Sequence, residues 1–69
     1  MNRLYWPVIT YRNGIITDKL STSSPCHTRA EARAVIHAWA EDFHILSARV
    51  DVYDGSVFPV RKIRTYNFF

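Results

Sequence analysis

The stretch TRAEARAVIHAWAEDF, Thr28 to Phe43, reads as one amphipathic helix, and its place between two strand-rich segments decides the fold. Thr28-Arg29-Ala30-Glu31 is a capping box. The threonine oxygen satisfies a first-turn amide, and Glu31 is expected to reach back to the Thr28 amide. Alanines at 30, 32, 34, 38 and 40 favour the helical state. Ala32, Val35, Ile36, Trp39 and Phe43 recur at i, i+3, i+4, i+7 and i+11, the spacing of one buried face. Arg29, Arg33, His37 and Glu41 line the opposite side.

Outward from the helix, both flanks carry hairpin signatures. Leu4 to Tyr11 and Ile15 to Leu20 are rich in aromatic and β-branched residues, and Asn13-Gly14 lies between them as a turn. Ile45 to Tyr53, Asp54-Gly55, and Ser56 to about Thr65 repeat the plan. Ser21 to His27 is a polar loop whose Ser24-Pro25 step disfavours helix before the proline. The expectation is one α+β domain over residues 1–69, in the order ββαββ, with a four-stranded, mostly antiparallel sheet and the helix on one face. Its parts are a hairpin over 4–20, a loop over 21–27, a helix over 28–43, a hairpin over 45–65 and an aromatic C-terminal tail over 66–69.

Two registers fit the first hairpin. If Asn13-Gly14 is a two-residue loop, Tyr11 opposes Ile16, and Tyr5, Ile9, Tyr11, Ile16 and Leu20 are buried. If Gly14 closes a three-residue loop, Tyr11 opposes Ile15 and the buried first strand is Leu4, Trp6, Val8 and Thr10. Leu46, Ala48, Val50 and Val52 are expected in the core, and Phe58 and Val60 argue for a buried even face on strand four, where Pro59 marks an edge or a bulge. Asp18 falls on the face assigned to the core, which implies a wet sheet edge, an arginine partner or a different register.

Composition narrows the function. The chain has 69 residues, 48% of them hydrophobic, and a formal net charge of +3. A core of this size supplies only about 3–5 kcal/mol of net stability, and the single cysteine, Cys26, forms no disulfide within the chain. A chain this short has little room for a deep cleft with its supporting residues, so no catalytic residue and no cofactor is expected. No signal-like leader or membrane-length apolar run is present, and a cytoplasmic, non-membrane protein is expected.

The reactive side chains are few. Cys26-His27 places a thiol beside an imidazole, yet neighbours in an extended loop point apart, so a nucleophilic pair is not expected. Cys26, His27, His37 and His44 are spaced unlike zinc ligands, and no metal site is expected. The basic residues carry more. Seven of the nine cations are arginines, and Arg61-Lys62-Ile63-Arg64 runs into Thr65-Tyr66-Asn67-Phe68-Phe69, interleaving cations with rings. Alternation along the strands is expected to gather Arg12, Lys19, Arg49 and Arg61 or Lys62 on one outward sheet face. The binding residues expected are Arg12, Lys19, Arg49, Arg61, Lys62, Arg64 and Tyr66, with Arg29 and Arg33 of the helix as a second patch.

The hairpin with Asn13-Gly14, the helix opening Thr28-Arg29-Ala30-Glu31-Ala32 and the second hairpin with Asp54-Gly55 together resemble the small phage-encoded anti-CRISPR proteins. The resemblance spans most of the chain and rests on element order, length and basic outer residues. It implies a non-enzymatic inhibitor that binds a protein or nucleoprotein complex, along surfaces meant for nucleic acid. Direct, weakly specific nucleic-acid binding is the alternative, and a homodimer closed through Phe68-Phe69 is a further arrangement the edges allow.

Overall fold

The computed structural model describes residues 2–68. The order is β1 (Arg3–Asn13), β2 (Ile16–Ser21), α1 (Arg29–Ala40), β3 (His44–Asp54) and β4 (Arg61–Asn67). The strands form one antiparallel sheet ordered β2-β1-β3-β4, and α1 lies over the central pair, β1 and β3. The fold is therefore α+β with the expected order ββαββ.

Residues paired directly across an antiparallel sheet share a face, so the register sorts the side chains. Ile9 pairs with Leu20 on one side and Ala48 on the other, and Pro7 pairs with Val50. Together with Tyr5, Tyr11 and Val52 these residues make the face beneath the helix. Ile9, Ala32, Ile36, Ala48, Val50 and Val52 form the buried hydrophobic cluster. Trp39, Phe43, Ile45 and Phe68 close its margin, and the Tyr11 and Phe43 rings pack at 4.7 Å.

The first turn shifts by one residue from expectation. Asn13 pairs with Ile16, so the loop residues are Gly14 and Ile15, and Tyr11 opposes Asp18. Gly14 has φ +65° and no non-glycine residue described has positive φ. That excludes a type I′ turn, which needs two positive angles, and matches the type II′ pattern with glycine first. The odd-numbered inward face of β1 survives the shift, because a two-residue loop preserves its parity, but Ile16, expected in the core, now adjoins the turn and is 64% exposed. Asp18 lies at a wet edge, its Oδ1 accepting from the Lys19 amide at 2.8 Å. A Cβ at Gly14 meets nothing within 4 Å, so a substitution there is penalised by the backbone alone. Gly14→Val is expected to lower stability by about 1–2 kcal/mol, and Gly14→Asn by less, since asparagine tolerates the left-handed region. Urea unfolding measures both; equal midpoints for all three chains would count against this turn.

Other boundaries also move. α1 ends at Ala40 rather than Phe43, with Asp42 and Phe43 amides both donating to the Trp39 carbonyl in a closing turn. Thr28 Oγ1 accepts from the Glu31 amide at 3.1 Å as the capping box requires, but the Glu31 carboxylate takes the His27 amide instead of the Thr28 amide. Asp54-Gly55 does not make a tight hairpin. Residues 55–60 form a longer loop containing a cis Phe58-Pro59 bond, and Phe58 is 99% exposed instead of filling the core. Asp54 organises its start: Oδ1 accepts from the Ser56 amide and hydroxyl, and these bonds hold the carboxyl below its usual range.

Two irregularities change parity in β3 and β4. Thr10 pairs with Ser47 while Tyr11 pairs with Ile45, so Leu46 is the extra residue and is exposed where a core position was expected. Val52 pairs with Arg64 while Tyr53 pairs with Lys62, which leaves Ile63 as the extra residue. Tyr66 and Asn67, assigned to a tail, belong to β4, and the Phe68 amide donates to the Ala48 carbonyl at 2.9 Å. Phe69 lies outside the described residues.

Candidate interaction surface

The sheet face away from α1 has no element over it. The register assigns to it Leu4, Trp6, Val8, Thr10 and Arg12 from β1, Thr17, Lys19 and Ser21 from β2, His44, Ser47, Arg49, Asp51 and Tyr53 from β3, and Lys62, Thr65 and Asn67 from β4. Each strand contributes one Lys or Arg: Arg12, Lys19, Arg49 and Lys62. They descend from Lys62 in the Leu4 and Tyr53 row, past the Trp6, Asp51 and Thr65 row that carries no cation, through Arg49 and Lys19 to Arg12 at the His44 end, a run of about 27 Å at about 3.3–3.4 Å per residue. Asp51 is the one carboxylate among the described residues of this face.

Asp51 is only 5% exposed although no helix covers it. Its neighbours do so. Arg49 Nε approaches Oδ1 at 3.2 Å and Oδ2 at 3.3 Å, Thr65 Oγ1 donates to Oδ1 at 3.1 Å, and Lys62 Nζ stands at 3.7 Å. A buried carboxylate is tolerated only when paired and hydrogen-bonded in this way. The cationic side chains remain 36% and 48% exposed, so Asp51 anchors Arg49 and Lys62 while their outer surfaces stay available to a ligand. Beside this cluster lies a shallow cavity of about 390 Å³, lined by Trp6, Val8, Ser21, Asp51, Tyr53 and Val60.

The remaining expected residues separate from this face. Arg64 opposes Val52 and so faces the helix side, where its Nη1 donates to Tyr66 Oη at 3.1 Å. Arg29 of α1 stands over the same ring at 4.5 Å from its centroid and Arg64 at 5.7 Å. The Arg64 hydrogen bond, reinforced by the charges of Arg64 and Arg29, lowers the Tyr66 phenol from its ordinary value. Arg33 continues that patch along the exposed helix beside His37, in a groove lined by Arg29, Ala30, Arg33, Ala34 and His37. Arg61 pairs with Asp54 at the far end of the sheet. The nine expected residues thus occupy three places: Arg12, Lys19, Arg49 and Lys62 share the open sheet face, Arg29, Arg33, Arg64 and Tyr66 gather on the helix side, and Arg61 stands apart.

Trp6, Asp51 and Tyr53 join this face beyond the residues expected from the sequence. The alternation Ala48, Val50, Val52 against Arg49, Asp51, Tyr53 carries the signal for two of them, because it fixes an outward stripe on β3. Trp6 follows once β1 is read with its odd residues inward.

Cys26 is held in backbone pairing with Tyr5, at 2.8 and 3.0 Å. Burial, with the Glu31 carboxylate adding to it, pushes the thiol up from its ordinary value, which disfavours the thiolate a nucleophile needs. Among the described residues no group of three His, Cys, Asp or Glu is placed to hold a metal ion, and no helix is long and apolar enough to cross a membrane. No protein-family model matches the chain, and neither a curated protein nor a solved structure matches it.

Proposed function

We propose that this chain is a non-enzymatic interaction protein, encoded by a phage or mobile element and acting in the host cytoplasm. It occupies and blocks a nucleic-acid-handling, CRISPR effector-like complex through the uncovered sheet face. The observation that carries this reading is the band of four cations, one from each strand, on the one broad face that the fold leaves open. Such a band complements an anionic surface over its whole length, and arginines and aromatic rings are the side chains that most often dominate binding energy. The mechanism is occupancy: a rigid sheet presents fixed positive charge to an acidic protein surface of the complex and blocks its action sterically.

Arg12 and Lys19 test it best, since both are exposed and lie away from the Asp51 cluster. Arg12→Glu with Lys19→Glu is expected to leave stability within about 0.5 kcal/mol. Capture of the complex from nuclease-treated host lysate should fall about tenfold or more, with the loss concentrated in the association rate. Capture undiminished by the double reversal would sink the reading.

The aromatic cavity beside Asp51 favours a second reading, direct and weakly specific nucleic-acid binding by the same face. Salt distinguishes the two, because phosphate contacts weaken steeply as counterions are added and a shape-matched protein interface is less sensitive.

A further inference from the structure

We infer that the cavity between Trp6 and Tyr53 seats one base of a single-stranded nucleic acid whose phosphates follow Lys62, Arg49, Lys19 and Arg12. The inference rests on the direct-binding reading and names the ligand of that face.

The cavity has the right materials. Its volume of about 390 Å³ lies within the range of sites for small ligands, about 300–1,000 Å³. Trp6 and Tyr53 sit in adjacent rows of neighbouring strands, Trp6 opposite Asp51 and Tyr53 opposite Leu4. Both rings are partly exposed on the face opposite the hydrophobic core, where packing beneath a helix does not account for them. An indole and a phenol at an open surface offer π-faces to any base, and cations at the rim hold the backbone that follows it.

Charge selects against the other occupants. A lysine or arginine side chain drawn to Asp51 would meet Arg49 and Lys62 already in place, two cations against one carboxylate. A neutral apolar ligand would make no use of the excess positive charge at the rim, two cations against one carboxylate. A duplex keeps its bases stacked on one another and presents no free ring to Trp6, so an unpaired strand is the form that satisfies both the rings and the charges.

The test compares two probes of equal length at one low salt concentration: an oligothymidylate of about twelve nucleotides and the same chain made abasic. Wild-type protein is expected to bind the base-bearing strand about tenfold more tightly. Trp6→Leu and Tyr53→Leu, each checked for its fold by circular dichroism, should remove that preference and keep the affinity for the abasic chain. Equal binding of both strands by the wild type would overturn the base seat while leaving direct phosphate binding intact. If neither strand binds and a protein survives nuclease treatment as the partner, the direct-binding reading falls together with the base seat.

Discussion

Ile9→Ala is expected to leave the chain largely unfolded at 25 °C. Ile9 is fully buried at the centre of β1, between Leu20 and Ala48 and within the cluster that Ala32 and Ile36 of the helix complete. Truncating a buried isoleucine to alanine costs about 2–5 kcal/mol, from lost transfer energy and from the cavity left behind. A single core in a chain this short provides about 3–5 kcal/mol in all, so the loss is comparable with the whole. Few buried neighbours are free to collapse into the space, because Ala32 and Ala48 are already small and Val50 is β-branched and stiff. The contrast is Phe58→Ser, at a ring 99% exposed, which is expected to change stability by less than about 0.5 kcal/mol. Thermal and urea unfolding by circular dichroism compare the two. An Ile9→Ala chain that unfolds at the wild-type midpoint would show that the helix does not seal this sheet.

The same core explains which features are legible in the sequence. Element order is fixed by local chemistry: a capped alanine-rich helix, two glycine-bearing turns and strands of alternating character. These signals act within a few residues of one another, and the architecture follows from them. Register is set differently. Which residue takes the positive φ at the first turn depends on the competition between Asn13 and Gly14, and glycine takes it because it has no Cβ penalty. The extra residues Leu46 and Ile63 arise where strands must pass each other with unequal residue counts, a property of the pair and not of either strand. Each bulge flips everything beyond it. That is why Arg64 lands beneath the helix side beside Tyr66 while Lys62, two residues earlier, faces the open side.

The candidate surface divides along the same line. Arg12, Lys19 and Arg49 obey simple alternation, and the register places them on one face. Alternation alone allows either Arg61 or Lys62 on that face, and the bulge at Ile63 selects Lys62. The aromatic cavity was less legible because large rings in a short chain are most economically assigned to the core. Alternation along β3 turns Tyr53 outward, but Trp6 joins it only when β1 has its odd residues inward, and of the two registers the sequence allows the structure selects that one.

Removing Asp51 is expected to weaken the fold and strengthen the surface at once. The carboxylate is buried and accepts from Arg49, Thr65 and, at longer range, Lys62. Breaking a fully buried ion pair costs about 3–5 kcal/mol because it strands a charge in the interior. Here Arg49 and Lys62 are 36% and 48% exposed, so both heads can turn to water when the acid is gone. The penalty therefore falls in the range of lost hydrogen bonds, about 1–3 kcal/mol for Asp51→Ala. Asp51→Asn keeps an acceptor for Thr65 but sets an amide donor against two cations, and should fall within the same range. Meanwhile the formal net charge rises from +3 to +4, since nine cations then face five acids. The two released cations gain freedom to meet phosphate. On the direct-binding reading, both variants should bind a single-stranded oligonucleotide more tightly at low salt, with a steeper salt dependence, despite being less stable. Urea midpoints and titrations on the same preparations give the two readings. Stability and affinity falling together would show that Asp51 holds Arg49 and Lys62 in the binding geometry, so that their positions outweigh the added charge.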